Sequence, residues 1–260
     1  AINVHSNTRW KDYADDRFHP LPVQADYTAS GRYNGSNYMR GGGHFSCRFT
    51  ACLVFAGAVC RQILERRGIT IGAHAYAVGS AKDTPFDPVN VSKEDLNTLN
   101  TRFFAVNSPK AEEKMRAEIE AARLDADSIG GIIECAAVGV PAGIGSPMFG
   151  GIENVFAPIL YGIPAVKGVE FGAGFDVACM RGSENNDAFY YDENGLIRTK
   201  TNNAGGILGG ITTGMPILFR IAVKPTPSIG REQHTVDLTT KTNADLTIHG
   251  RHDPCIVPRA

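Results

Sequence analysis

Between Phe45 and Arg67 the stretch FSCRFTACLVFAGAVCRQILERR spaces its apolar residues as a helix does, and it closes on Arg66, Arg67 and Gly68. Cations in a last turn followed by glycine form a helix stop, so one helix is expected here. ITIGAHAYAVG, residues 69–79, alternates with the period of a strand. Residues 80–107 look like a polar excursion. Ser108 and Pro109 then make an N-cap and first-turn pair for an exposed amphipathic helix, KAEEKMRAEIEAARLDAD. SIGGIIECAAVGVPAG predicts a buried strand leaving through a Pro-Gly turn, and a short helix over 152–161 is weakened by Pro158. IPAVKGVEFGAGF and GILGGITTGMPILFRIAVKPTPSI predict further strands. The helices are too few and too unevenly spaced for a doubly wound sheet. The expected class is α+β, with helices packed against antiparallel or mixed sheets.

Composition changes this picture little. The chain has 260 residues, 43% apolar and 20% charged, as a folded domain with a sizeable core does. A net charge of -1 gives no general attraction to nucleic acid or to an anionic membrane, and neither is expected as a partner. The opening AINVHSNTRWKDYADDRF has no apolar stretch of the signal-peptide kind. None of the 6 cysteines stands in a C-x-x-C pair, which argues against a zinc knuckle or a dithiol redox motif. Reduced cysteines and a cytoplasmic location are the expectation, with no metal.

Three segments could carry chemistry. RGGGHFSCR, residues 40–48, stands ahead of a helix, where free backbone N–H groups, a serine and an arginine make either an anion site or a plain glycine-rich turn. AVKPTPS, residues 222–228, is a stiff loop offering Lys224, Thr226 and Ser228 as donors. GRHDPC, residues 250–255, sets a fixed cation, Arg251, beside an imidazole and the carboxylate of Asp253. A ligand with one or more phosphates explains all three; separate solvated loops are the other reading. Neither a Walker A loop nor a G-x-G-x-x-G fingerprint is present.

Together with GGILGGI at 205–211, these segments resemble chorismate synthase, whose members carry a Gly-Gly-Gly segment followed by R-S-S-A-R-E-T or, in some branches, H-F-S-G-R and T-A, then G-G-I-L-G-G-I, K-P-T-x-S and G-R-H-D-P-C, in that order. DSIGG at 127–131, GVPAGIGSPMF at 139–149 and AVKGVEFGAGF at 165–175 match as well. The resemblance implies a β-α-β sandwich and a lyase of the shikimate pathway, which leads to the aromatic amino acids. The reaction would be the 1,4-anti elimination of phosphate from 5-enolpyruvylshikimate 3-phosphate to give chorismate. It implies reduced FMN as cofactor, with NADPH as well if the enzyme reduces its own flavin, and a homotetramer. By motif matching, the flavin contacts fall on His44, Phe45, Ser46, Pro164, Ala165, Gly209, Lys224, Pro225, Thr226, Pro227, Ser228 and Arg251. Arg48 falls on the arginine facing the substrate's anionic groups, and Asp253 on the carboxylate near the reacting part of the flavin.

The chain also departs from the pattern. Where the family reads R-P-G-H-A-D-Y-T, LPVQADYT puts Gln24 at the position of a catalytic histidine, and Cys47 and Phe49 replace the residues usual there. The family's G-E-S-H-G segment has no counterpart. The expectation is therefore a single domain over residues 1–260 lacking the family's N- and C-terminal segments, with apolar surface exposed near both ends. A catalytically impaired flavin- or phosphate-binding relative of the same fold is the alternative to the enzyme.

Overall fold

The computed structural model describes residues 19–36, 44–248 and 253–260. Along the chain come α1 (Asp26–Arg32), α2 (Thr50–Arg66), β1 (Thr70–Val78), β2 (Ala81–Lys82), α3 (Lys93–Asn100), α4 (Pro109–Leu124), β3 (Gly131–Val138), α5 (Ile152–Tyr161) and β4 (Val166–Phe171). They are followed by α6 (Gly182–Asn185), β5 (Phe189–Tyr191), β6 (Ile197–Thr199), β7 (Ile207–Leu208), β8 (Ile211–Thr212), β9 (Ile217–Val223), β10 (Gln233–Asp237) and β11 (Thr242–Leu246). β2, β1, β3, β9 and β4 form one sheet in that order, every pairing antiparallel. The pairs β5–β6, β7–β8 and β10–β11 are separate hairpins. The α+β class expected from the pattern is the one observed, with an antiparallel sheet.

Alternation along the strands divides the core between two faces. Ile133, Ile221 and Val223 point to one side, where they pack with Ala111 and Met115 of α4. Ala136, Val138 and Leu218 point to the other, against Phe86, Val91 and the α3 leucines Leu96 and Leu99. α3 comes in closely because position 72 has no side chain: a Cβ there would lie 2.9 Å from that of Leu96. Helix on one face and helix on the other make a three-layer sandwich.

Two expectations need correcting. The stretch 80–107 is more than a polar excursion: it holds β2 and α3, and it buries Phe86, Val91, Leu96, Leu99, Phe104 and Val106. α3 starts at Ser92, whose hydroxyl accepts from Asp95 N–H while the Asp95 carboxylate accepts from Ser92 N–H, closing a capping box. Nor is the apolar run at 255–257 left exposed, since Cys255 and Val257 are buried in the core against the sheet. The large apolar exposure lies on α2 instead. That helix starts at Thr50, preceded by a 3-10 turn over Cys47–Phe49, and has no buried residue, with Val54 and Phe55 68% and 66% exposed. Pro158 sits inside α5 without ending it. Among the described residues no helix is long and apolar enough to cross a membrane.

Candidate functional site

β9 runs antiparallel to both neighbours, so its exit lies at the same edge of the sheet as the starts of β3 and β4. That edge gathers most of the predicted site. Lys224 N–H donates to Ala165 O at 2.9 Å, joining the 224–228 loop to the Pro164–Ala165 turn, where Ala165 takes a φ of 75°. Ser128 Oγ donates to Thr226 O at 2.6 Å. Ile129 N–H donates to Pro254 O at 2.8 Å, which places Asp253 beside the same loop. Gly130 permits this crowding: a Cβ there would sit 2.5 Å from Val223 O and 3.0 Å from Pro225 Cδ. From the N-terminal side, Val23 O accepts the Lys224 ammonium at 2.8 Å, so half-buried Gln24 arrives at this edge too. Val23 itself has a φ of 58°, a strained setting for a β-branched residue.

Two details bear on what the edge could hold. Thr226 Oγ1 is buried and has no hydrogen-bond partner among the described residues. A buried hydroxyl left unpaired is costly, and a ligand acceptor would relieve it. Asp253 is held by a fork from Arg259, with Nη1 to Oδ2 at 2.6 Å and Nη2 to Oδ1 at 3.1 Å. The carboxylate is therefore oriented by a cation seven-tenths exposed. Lys224, the Thr226 hydroxyl and nearby backbone suit an anionic group such as a flavin phosphate.

Gly209 lies away from this edge. Gly209, in the β7–β8 turn, packs near the start of β9, because Gly205 O accepts Leu218 N–H and Ile207 and Ile217 share a core cluster. β9 has 7 residues, about 20 Å at strand rise, so Gly209 and Lys224 stand at opposite ends of it. His44, Phe45 and Ser46 lead into α2, where His44 stacks on Phe49 at 6.1 Å and Ser46 Oγ accepts Arg48 N–H at 3.3 Å. Arg48 is exposed. Arg251 falls outside the described residues, as do Gly41, Gly42 and Gly43. A groove lined by Ser80, Lys82, Lys114 and Glu118 runs between β2 and α4 and contains none of the predicted residues.

Sequence reasoning missed a buried polar row on the α3 face of the sheet. His74, Glu134, Arg220 and Glu170 are successive register partners on β1, β3, β9 and β4. His74 Nε2 lies 2.9 Å from Glu134 Oε2, and Glu134 Oε1 accepts Arg220 Nε at 2.8 Å. Arg220 also stacks over the Tyr76 ring at 4.5 Å. The available signal was a single charged or titratable residue in the middle of each of three apolar strands.

Comparison with known proteins agrees with the motif reading. The family model described as Chorismate synthase matches residues 2–260. The chorismate synthase of Lancefieldella parvula is 45% identical over 266 residues, covering 98% of this chain and 70% of that protein. Those of Korarchaeum cryptofilum and Pyrococcus abyssi are each 48% identical, covering 93% and 95% of this chain and 65% and 67% of theirs. A solved structure titled "Crystal Structure of Chorismate Synthase" superposes with a TM-score of 0.69 at 31% identity, covering 77% of this chain and 63% of the other. The chain thus spans about two thirds of the length of the relatives it matches. On the match over nearly its whole length, the chain belongs to the chorismate synthase family.

Proposed function

We propose that the protein acts as a chorismate synthase, with its site at the edge of the sheet where β9 leaves and β3 and β4 begin. The reaction breaks the C3–O bond of 5-enolpyruvylshikimate 3-phosphate, releasing phosphate, and a C6–H bond, so that a new double bond forms. The observation that carries this reading is the convergence at one edge of the Gln24 segment, the Pro164–Ala165 turn, the Lys224–Ser228 loop and Asp253. Reduced FMN, when bound, supplies electron density at the reacting carbons without net redox change. Of this chain's own residues, Lys224 and Arg48 would neutralise phosphate, the Thr226 hydroxyl would donate to an anionic oxygen, and Asp253 would accept a proton in the orientation set by Arg259. Pro164, Ala165, Pro225, Pro227 and Ser228 would shape the flavin's contact surface at this edge; Arg251 and the 44–46 segment are matched to the same role by motif, whereas Gly209 stands at the far end of β9. The protein is further read as one domain over residues 1–260, cytoplasmic, and assembling as a homotetramer, with NADPH serving if it reduces its own flavin.

Gln24 favours the second reading, an impaired relative. Its amide can donate a hydrogen bond but cannot transfer a proton near neutral pH, which a histidine with a reference pKa of about 6.5 can. The test is anaerobic turnover with reduced FMN by the chain and by Gln24→His. Chorismate and phosphate in equal amounts, formed faster by the histidine variant, are expected. No product from either chain, with flavin bound to both, would establish the impaired relative instead.

A further inference from the structure

His74 lies between two carboxylates, with Nδ1 3.0 Å from Asp83 Oδ2 and Nε2 2.9 Å from Glu134 Oε2. Both carboxylates are already filled with donors. Asp83 Oδ1 accepts Thr84 N–H at 2.8 Å and Ser108 N–H at 3.0 Å, and Oδ2 accepts Asn107 N–H at 2.5 Å. Glu134 Oε2 accepts Phe86 N–H at 2.7 Å, and Oε1 accepts Arg220. All four carboxylate oxygens act as acceptors, and Asn107 Nδ2 lies 3.5 Å from His74 Nε2. The side chains of His74 and Asp83 are 0% exposed and that of Glu134 is 5% exposed, so breaking any of these contacts would leave a polar group unpaired away from water.

We infer that the row of linked polar side chains running from Asp83 through His74, Glu134 and Arg220 to Glu170 is a positioning device for the Lys224–Ser228 loop. The inference rests on the reading of that loop as a ligand site. Each member contacts the next, with Arg220 Nη1 3.6 Å from Glu170 Oε1. From His74 onward each link crosses from one strand to the next, so the row fixes the register of β9 against both neighbours. A slip of one residue would turn every β9 side chain to the wrong face. It would also break the Lys224 N–H bond to Ala165 O, four residues beyond Arg220, on which the loop's placement depends. Acid–base catalysis by His74 is excluded by its burial: substrate cannot reach the ring. Among the described residues no cluster of His, Cys, Asp or Glu is placed to hold a metal.

The test compares amide exchange in the unaltered protein and in two variants. In Glu134→Gln, hydrogen exchange at the Lys224 amide should accelerate at least about tenfold more than at amides of α4, with Glu134→Asp recovering part of the difference. Equal acceleration at both places would mean general loosening and would reject the positioning role. Titration with reduced FMN separates the two readings: an unaltered protein that binds none refutes the ligand site, while amide exchange still decides the row.

Discussion

Burial alone would raise the carboxyl of Glu134, but hydrogen bonds from His74, from Phe86 N–H and from Arg220 outweigh it and hold the group below its usual range. Its stabilising contribution is therefore complete above the unfolded carboxyl pKa, about 4.3, and is lost as pH falls through the lower folded value. Urea unfolding should show stability falling below roughly pH 4.3, with a shallower fall in Glu134→Gln. At pH 7 that variant should cost about 1–3 kcal/mol, because His74, Phe86 N–H and the partly buried Arg220 lose a charged acceptor. Thiol chemistry gives a second residue-level expectation. Burial pushes the Cys135 thiol up to about 12 and raises that of Cys255, whereas Cys52, Cys60 and Cys179 are exposed. Alkylation at pH 8 should therefore label Cys52, Cys60 and Cys179 first, as peptide mapping would show. For Gln24→His, the gain in turnover should be of the order of 10²-fold or more, the usual worth of one general acid.

Among the elements, those with unbroken local patterns were legible in advance. β1 alternates, α4 begins at a Ser-Pro pair, and β3 is apolar between glycines; β1 lies within one residue of its expected bounds, α4 starts at Pro109, and β3 falls inside its expected stretch. α3 was not legible, because its polar sequence KEDLNTLN shows the core only Leu96 and Leu99, and its start rests on a Ser92–Asp95 box that also reads as loop chemistry. The polar row was legible only as lone charged residues inside apolar strands; that they meet was not, since His74 and Glu134 are 60 residues apart and only strand pairing brings them together. The site edge was legible as separate donor-rich segments, but that Gln24 and Lys224 meet depends on a contact spanning 201 positions, from Lys224 Nζ to Val23 O. Gly130→Ala tests the edge itself. Its Cβ would press on Val223 O and Pro225, so a loss of about 1–3 kcal/mol is expected in thermal unfolding, together with weaker flavin binding.

At the scale of the molecule, the sandwich buries its sheet on both faces yet leaves uncovered the first turns of α2, where residues 51–60 carry no charged or polar side chain beyond the cysteines. A helical stretch apolar all round is buried in working proteins. The 260-residue chain should therefore self-associate at micromolar concentration, and sedimentation should show assemblies larger than one chain, reduced by Phe55→Ser. The sandwich also explains why the ligand site lies at an edge: the faces are filled, and the loops leaving β9 and entering β3 and β4 are the backbone free to meet a ligand. The account stands or falls on the Lys224–Ser228 loop holding an anionic cofactor. Anaerobic titration of the chain and of Lys224→Met with reduced FMN tests this most directly. The account predicts saturable binding by the unaltered chain, weakened at least about tenfold by the substitution with the thermal midpoint unchanged. Equal affinity in the two proteins, or none in either, would contradict it.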